Sequence, residues 1–162
     1  MILVTLGTHP KPMDRLIVAL DGILSSGALD DEIIITAAAY GRRPTLARAL
    51  GIQPFDVLTE MARTARAVIT HGGPASIALA LSAGHSPVVV PRDPAMDEHV
   101  DDHQIRFAAW LAQRRNIIVV LEMDKLAAAL QETLSRQGHA PVNPPVPVEA
   151  IARLRSILTS GR

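Results

Sequence analysis

Residues 67–76 read Ala67-Val-Ile-Thr70-His71-Gly72-Gly73-Pro74-Ala-Ser76, and this stretch predicts how the domain is built. Its first four residues form a short apolar run that favours a β-strand. The two glycines allow a tight turn and a close approach of the backbone to a ligand, and proline suits the first turn of a helix. The sequence therefore predicts a strand, a turn and a helix in direct succession.

Similar apolar runs recur along the chain, and they are too continuous for strands that bury only one face. We expect five strands, at residues 2–6, 32–36, 67–70, 87–90 and 116–121. Helical patterns lie between and after these strands, at residues 13–25, 44–50, 55–64, 75–83, 100–114 and 124–136. This alternation predicts the α/β class, with a doubly wound parallel sheet of the Rossmann-like kind.

The chain of 162 residues is long enough for one domain, which we place at residues 1–137. Residues 138–149 contain four prolines, which fix φ and remove backbone donors, so this segment is predicted to be an extended connector. Residues 150–162 carry apolar side chains at helical spacing and predict an amphipathic helix. That helix packs either on this domain or on a partner.

The composition disfavours several classes of partner. Sixteen lysine and arginine side chains balance sixteen aspartate and glutamate side chains, so the positive charge expected of a nucleic-acid-binding protein is absent. The chain has no cysteine, which agrees with a reducing compartment and makes the cytoplasm the expected location. No apolar run approaches the roughly 20 residues that cross a bilayer, so membrane contact is expected to be peripheral or through another chain.

Candidate binding residues are those that directly follow strands, because ligands of an open parallel sheet bind outside the carboxyl ends of its strands. Four clusters do so, at residues 7–9, 38–43, 71–76 and 91–104. In the third cluster, free backbone N–H groups and the positive end of a helix dipole predict a seat for a diphosphate, and Ser76 adds a hydroxyl donor. The alternative is a turn whose glycines serve backbone geometry alone. The glycine spacing differs from the dinucleotide fingerprint, which disfavours a dehydrogenase.

The fourth cluster is rich in charged, imidazole and amide side chains: Arg92, Asp93, Asp97, Glu98, His99, Asp101, Asp102, His103 and Gln104. Such groups at the mouth of a cleft orient sugar hydroxyls, although the acidic ones could simply complement the dipole of the helix that follows. His99 and His103 are four residues apart, a spacing that also suits zinc. We expect no metal, because Val100 stands where a metalloprotease motif has its glutamate and no third ligand is evident.

Three motifs together resemble the C-terminal domain of glycosyltransferase family 28. They are Leu6-Gly7-Thr8 with Asp14-Arg15-Leu16, Thr70-His71-Gly72-Gly73-Pro74-Ala-Ser76, and Val90-Pro91-Arg92 followed by Glu98-His99-Val-Asp101-Asp102-His103-Gln104. The resemblance spans roughly residues 1–122. It is closest to the stand-alone donor-binding subunits, namely the small subunit of the eukaryotic two-part N-acetylglucosaminyltransferase for dolichol-linked glycans and the bacterial exopolysaccharide subunits called PssE or EpsF-like.

The resemblance implies the C-terminal half of a GT-B fold and an inverting, UDP-sugar-dependent hexosyltransferase that needs no metal or cofactor, the UDP-sugar being a substrate. It places the diphosphate at residues 72–76. His9 is the one candidate general base in this chain, although the base is expected on a partner. Substrate-binding roles are implied for a set of loop residues: Gly7, Thr8, His71, Gly72, Gly73, Pro74, Ser76, Arg92, Glu98, His99, Asp102, His103 and Gln104.

The resemblance also implies a membrane-anchored partner that binds a polyprenyl-diphosphate-linked acceptor at the cytoplasmic face of the membrane, for polysaccharide synthesis. Arg92 could pair with the carboxylate of glucuronate, so glucuronate is favoured over glucose or N-acetylglucosamine. Relatives often carry a glutamate where this chain has Leu79, so a ribose contact from that position is not carried over. The alternatives are a non-catalytic regulatory module that binds a nucleotide sugar and a stand-alone phosphate-ester hydrolase.

Overall fold

Six parallel strands form one sheet in the order β3-β2-β1-β4-β5-β6. The structure is a computed structural model that describes residues 1–37 and 40–136. The chain order reverses between β1 and β4, as in the sheets of dinucleotide-binding domains, so the predicted doubly wound fold is confirmed. The strands are β1 (Ile2–Thr5), β2 (Ile33–Thr36), β3 (Arg48–Ala49), β4 (Ala67–His71), β5 (Val88–Val90) and β6 (Ile118–Val119).

Helices cover both faces of this sheet. All five sequence-predicted strands and five of the six predicted helices occur close to their expected positions. The helix predicted at residues 100–114 begins at His103, three residues later than predicted. The helices are α1 (Asp14–Ser25), α2 (Phe55–Thr64), α3 (Pro74–Ser82), α4 (His103–Ala112) and α5 (Leu126–Ser135), with short 3₁₀ turns at Pro94–Met96 and Met123–Lys125.

The burial of both sheet faces explains the continuous apolar runs. On one face, side chains such as Val4 and Ile35 pack against α1 and α5. On the other face, Leu3 and Val68 pack against α2 and α3, while Val89 packs between α3 and α4. All four residues of β1 are buried, as a central strand of a covered parallel sheet requires.

The predicted helix at residues 44–50 is wrong. This segment turns and then forms β3, an edge strand that pairs with β2. Asp21 on α1 holds the turn, because its carboxylate accepts the backbone N–H groups of Thr45 and Leu46 at 3.0–3.1 Å. Hydrogen bonds from another element thus outweigh the weak helical preference of a short segment.

Two predicted segments, the connector at 138–149 and the helix at 150–162, lie outside the described residues. The domain boundary at residue 137 therefore stays a prediction. Within residues 1–37 and 40–136, no helix combines the length and the apolar character that crossing a membrane requires.

Replacing Asp21 with alanine should destabilise the domain, because the N–H groups of Thr45 and Leu46 would lose their acceptor. The expected loss of unfolding free energy is about 1–3 kcal/mol. Urea unfolding followed by circular dichroism measures it. Asp30→Ala is the matched control, since Asp30 is exposed in the loop before β2; equal stability of the two variants would contradict the role assigned to Asp21.

Candidate functional site

A cleft of about 390 Å³ opens at the carboxyl edge of the sheet, between the ends of β1 and β4. The strand order reverses at this point, and doubly wound sheets bind their ligands there. Its volume lies in the range of small-molecule sites. The lining comes from the ends of β1, β2 and β4 and from the starts of α2 and α3: Thr5, Gly7, Thr8, Thr36, Ala37, Ile52, Gln53, Phe55, Leu58, His71, Gly73, Pro74, Ala75, Ser76 and Leu79.

The start of α3 forms part of the cleft wall. The helix follows Gly73, has Pro74 in its first turn, and carries no side-chain cap. Its first backbone hydrogen bonds run from Ser76 and Ile77 to the carbonyl of Gly73, so the N–H of Ala75 has no acceptor within the helix. Free N–H donors and the positive end of a helix dipole at a cleft wall are the arrangement that binds phosphoryl groups.

Close packing explains the two glycines before α3. A Cβ atom on Gly72 would lie 2.7 Å from the Cβ of Gln104 and 2.9 Å from the Cβ of Pro91. A Cβ atom on Gly73 would lie 2.2 Å from Nε2 of His71. Geometry alone thus requires both glycines, and Gly73 also lines the cleft. The requirement of backbone geometry for these glycines is therefore compatible with the other interpretation from the sequence, in which the turn approaches a bound diphosphate.

His71 lines the cleft and is partly buried, with its ring between two glycines. A Cβ atom on Gly7 would lie 2.5 Å from its ring, and one on Gly73 would lie closer still. Its Nδ1 lies 3.3 Å from the carbonyl oxygen of Thr5; because a carbonyl only accepts, Nδ1 carries the proton and Nε2 is an acceptor. Burial, and next the positive charge of Arg92, lowers the pKa of His71 to about 4.

This lowered pKa predicts a specific acid sensitivity. Between pH 6.5 and about pH 4 the unfolded chain takes up a proton on His71 while the folded chain does not, so stability falls as the pH falls. The loss from this residue is on the order of 3 kcal/mol. In the variant His71→Asn the amide can still donate to the carbonyl of Thr5. Its unfolding free energy, measured by urea unfolding, should fall less between pH 6.5 and about pH 4 than that of the natural chain.

An NMR titration of the histidine rings checks the same claim without a substitution. The His71 ring resonances should stay unshifted down to about pH 5. A titration midpoint near the ordinary histidine pKa of 6.5 would contradict the burial of this ring.

Arg92 has a structural position. Its side chain is only 2% exposed. Its guanidinium donates to the backbone carbonyls of Leu6, Lys11 and Glu98 at 2.9, 2.6 and 3.1 Å. The group is buried, and its terminal nitrogens join the loop after β1 to the segment after β5. This geometry disfavours the predicted pairing with a glucuronate carboxylate, which stays a prediction.

Glu98 is also buried, with 3% of its surface exposed. Its carboxylate accepts two hydrogen bonds from Arg15 of α1, at 2.9 and 3.0 Å, and one from the N–H of Asp93 at 3.0 Å. Arg15 also donates to the carbonyls of Pro91 and Leu121. This ion pair anchors the segment after β5 and disfavours the predicted substrate contact of Glu98, which stays a prediction. The pair could not be predicted from local sequence patterns, because its members are 83 residues apart.

Gln104 connects the two clusters that the sequence singled out. Its Oε1 accepts the backbone N–H of Arg92 at 3.1 Å, and its Cβ packs against Gly72. The turn before α3 and the acidic stretch therefore meet at one edge of the sheet, as predicted. Asp102 is exposed by comparison and pairs with Arg106 at 3.0 Å.

Three histidines gather beside the cleft. The ring centroids of His9 and His99 are 4.6 Å apart, and those of His99 and His103 are 4.7 Å apart. Asp101 lies between the last two, hydrogen-bonded to His103 and with Oδ1 3.5 Å from Nδ1 of His99. None of these four residues is among those that line the cleft. The predicted substrate contacts of His99 and His103 thus have no counterpart in the cleft lining.

His9 is a weak candidate for the predicted general base. Its Nδ1 accepts the backbone N–H of Lys11 at 3.2 Å, so the proton of the neutral ring resides on Nε2. Burial, followed by the positive charge of Arg92, also lowers the pKa of His9. Both features reduce its ability to take a proton from an attacking hydroxyl.

The cleft has a neutral lining: among the described residues, no lysine, arginine, aspartate or glutamate contributes to it. The hydroxyl of Thr5 is buried there without a hydrogen-bond partner. Ile52, Phe55 and Leu58 supply an apolar part of the lining. Sequence reasoning missed these residues because Ile52 follows β3, a strand that it took for a helix.

The doubly wound sheet, with an uncapped helix start in its crevice, defines a Rossmann-like α/β domain. Residues 37–143 match the model of the glycosyltransferase family 28 C-terminal domain. The match covers well over half of the chain, so the chain belongs to this family. It begins directly after β2, which leaves the loop after β1, with His9, outside the matched region.

Three solved structures share the fold. The glycosyltransferase SnogD from Streptomyces nogalater has 24% identity and a TM-score of 0.58, covering 96% of this chain and 43% of its own. Spinosyn forosaminyltransferase SpnP has 17% identity and a TM-score of 0.58, covering 98% and 44%. MurG from Acinetobacter baumannii has 16% identity and a TM-score of 0.51, covering 94% and 49%.

The domain is thus the Rossmann-like C-terminal half of a GT-B fold, and the chain spans less than half the length of each of these three proteins. No curated protein matches the chain in sequence.

Proposed function

We propose that this chain is the donor-binding half of a glycosyltransferase that uses a UDP-sugar and works with a second, acceptor-binding chain. The observation that carries the proposal is the uncapped start of α3 in the wall of the cleft at the sheet's reversal point. Membership of glycosyltransferase family 28 supports sugar transfer as the reaction class. The choice of UDP rests on the family resemblance.

In the proposed complex the diphosphate lies against the start of α3, where the backbone N–H groups of Gly73 and Ala75 are the available donors. The nucleoside lies along the apolar lining formed by Ile52 and Phe55, which can pack against a flat base. Because the described lining has no charged side chain, backbone dipoles hold the diphosphate. The buried Arg92 adds positive potential from behind, since its charge also lowers the pKa of His71.

The proposed reaction is a direct displacement at the anomeric carbon. An acceptor hydroxyl attacks this carbon, the bond to the diphosphate oxygen breaks, UDP departs, and the anomeric configuration inverts. The N–H groups at the start of α3 stabilise the negative charge on the departing diphosphate, so this step uses no metal ion. The hydroxyl proton passes to a base on the partner chain, since His9 is a weak base in this structure.

The proposed partner is a membrane-anchored subunit that binds a polyprenyl-diphosphate-linked acceptor at the cytoplasmic face of the membrane. The resemblance to stand-alone donor-binding subunits supports this partner, which would supply the half of the GT-B fold that this domain does not form. Met96 and Val100, which are 63% and 75% exposed, stand on the segment between β5 and α4 and offer apolar surface to a second chain.

The sugar is proposed to be a hexose that this chain does not select by charge. Arg92 is buried, and no other cationic side chain of the described residues lines the cleft. A thermal-shift panel of UDP, UDP-glucose, UDP-glucuronate and UDP-N-acetylglucosamine should therefore raise the melting temperature with no preference for the glucuronate.

The binding test uses isothermal titration calorimetry with UDP on the full chain. Gly73→Ala should weaken binding by about tenfold or more, because the new methyl group would meet His71 at 2.2 Å and displace the turn that carries the N–H donors. Gly22→Ala is the matched control, since a Cβ atom there meets nothing within 4 Å. It should bind UDP like the natural chain.

A second variant guards against misfolding of Gly73→Ala. Ile52 lines the cleft but is 63% exposed, so Ile52→Asp should fold normally and still weaken UDP binding by charge repulsion. Unchanged UDP affinity in both variants would contradict the proposed site. UDP binding without sugar transfer in any mixture with an acceptor-binding subunit would support the regulatory module over the transferase.

A further inference from the structure

We propose that His99, Asp101 and His103 form a binding site for one divalent transition-metal ion, with zinc as the expected ion. One ligand atom from each of the three side chains lies within 4.8 Å of the other two. In the part of the chain that the structure describes, no second group of this kind occurs. None of the three residues lines the cleft, so this site stands independently of the proposed transferase function.

The local backbone brings the three ligands together. His103 is the first residue of α4, and its N–H donates to Oδ1 of Asp101 at 3.1 Å. The same carboxylate oxygen is hydrogen-bonded to the His103 ring and lies 3.5 Å from Nδ1 of His99. Two imidazoles therefore converge on one carboxylate oxygen. A zinc ion with bonds of about 2.0–2.2 Å can take the position between them after small side-chain rotations.

The type of ligand decides the type of ion. Two imidazoles and one carboxylate suit zinc and its first-row neighbours, whereas magnesium and calcium prefer sites made entirely of oxygen. The site is accessible, because the side chains of Asp101 and His103 are 54% and 46% exposed. Water would complete the coordination, as in zinc sites with three protein ligands.

The surroundings hold the ligands in place. The ring of His9, from the loop after β1, packs against His99. Lys11 pairs with Asp97, whereas the Arg92 guanidinium donates to backbone carbonyls and keeps its positive charge. The three ligands must therefore bind the ion against the charge of Arg92. The sequence spacing differs from a metalloprotease motif at Val100 and shows no third ligand, whereas in the structure Asp101 lies beside both histidines as a possible third ligand. A bound ion would fix the segment before α4 and offer an open position to an oxygen ligand.

Titration of the untagged full chain with zinc chloride in a non-chelating buffer tests the proposal. Calorimetry should show one zinc ion per chain with micromolar or tighter affinity, and no binding of magnesium under the same conditions. His99→Ala and His103→Ala should each weaken zinc binding by about tenfold or more. His85→Gln is the matched control, because His85 lies in the turn before β5, hydrogen-bonded to the carbonyl of Ala62, and should bind zinc like the natural chain.

A second measurement keeps the test decisive if a variant fails to fold. Cobalt added to the natural chain should give visible absorption bands and should broaden the NMR signals of His99 and His103 before those of His85. Folding of the variants is checked by melting in the presence of a chelator. Zinc binding that is absent, that survives both alanine substitutions, or that broadens other histidines first would overturn the proposal.

Discussion

Two positions without side chains, Gly72 and Gly73, let the carboxyl edge of the sheet close around the turn that starts α3. Gln104 fills the space that a side chain on Gly72 would take, and His71 fills the space beside Gly73. Contacts this close fix the helix start against both β4 and the segment after β5. The direction of the free N–H groups, and with it the character of the cleft, depends on this packing.

The charged side chains nearest the cleft, Arg92 and Glu98, are buried in the protein and do not line the cleft. Arg92 and Glu98 are buried, and the hydrogen bonds of Arg92 to backbone carbonyls and of Glu98 to the partly buried Arg15 offset part of the cost of removing them from water. After burial itself, the charge of Arg92 contributes to the lowered pKa values of His9 and His71. His9 and His71 are therefore mostly neutral at pH 7, and in the proposed site backbone dipoles with one buried guanidinium supply the positive potential.

Local patterns predicted most of the fold but little of the side-chain chemistry. The continuous apolar runs predicted five strands, and the Gly-Gly-Pro turn predicted the start of α3. Each of these signals is contained within a few consecutive residues of the sequence. The helix predicted at 44–50 is wrong because the conformation of this segment depends on hydrogen bonds to Asp21 of α1. Arg92 and Glu98 are predicted to contact a ligand, as exposed charged groups at the mouth of a cleft would. Their neighbours in the sequence do not indicate that Arg92 binds backbone carbonyls or that Glu98 pairs with Arg15.

The most direct measurement of the central claim is a two-dimensional ¹H–¹⁵N NMR titration of the full chain with UDP. If the start of α3 holds the diphosphate, the backbone amides of Gly73, Ala75 and Ser76 should show the largest saturable shifts. Amides at the opposite, amino edge of the sheet, such as those of Glu32 before β2 and Arg66 before β4, should stay in place. Saturable shifts that leave residues 73–76 unaffected, or no shifts at all, would contradict the account.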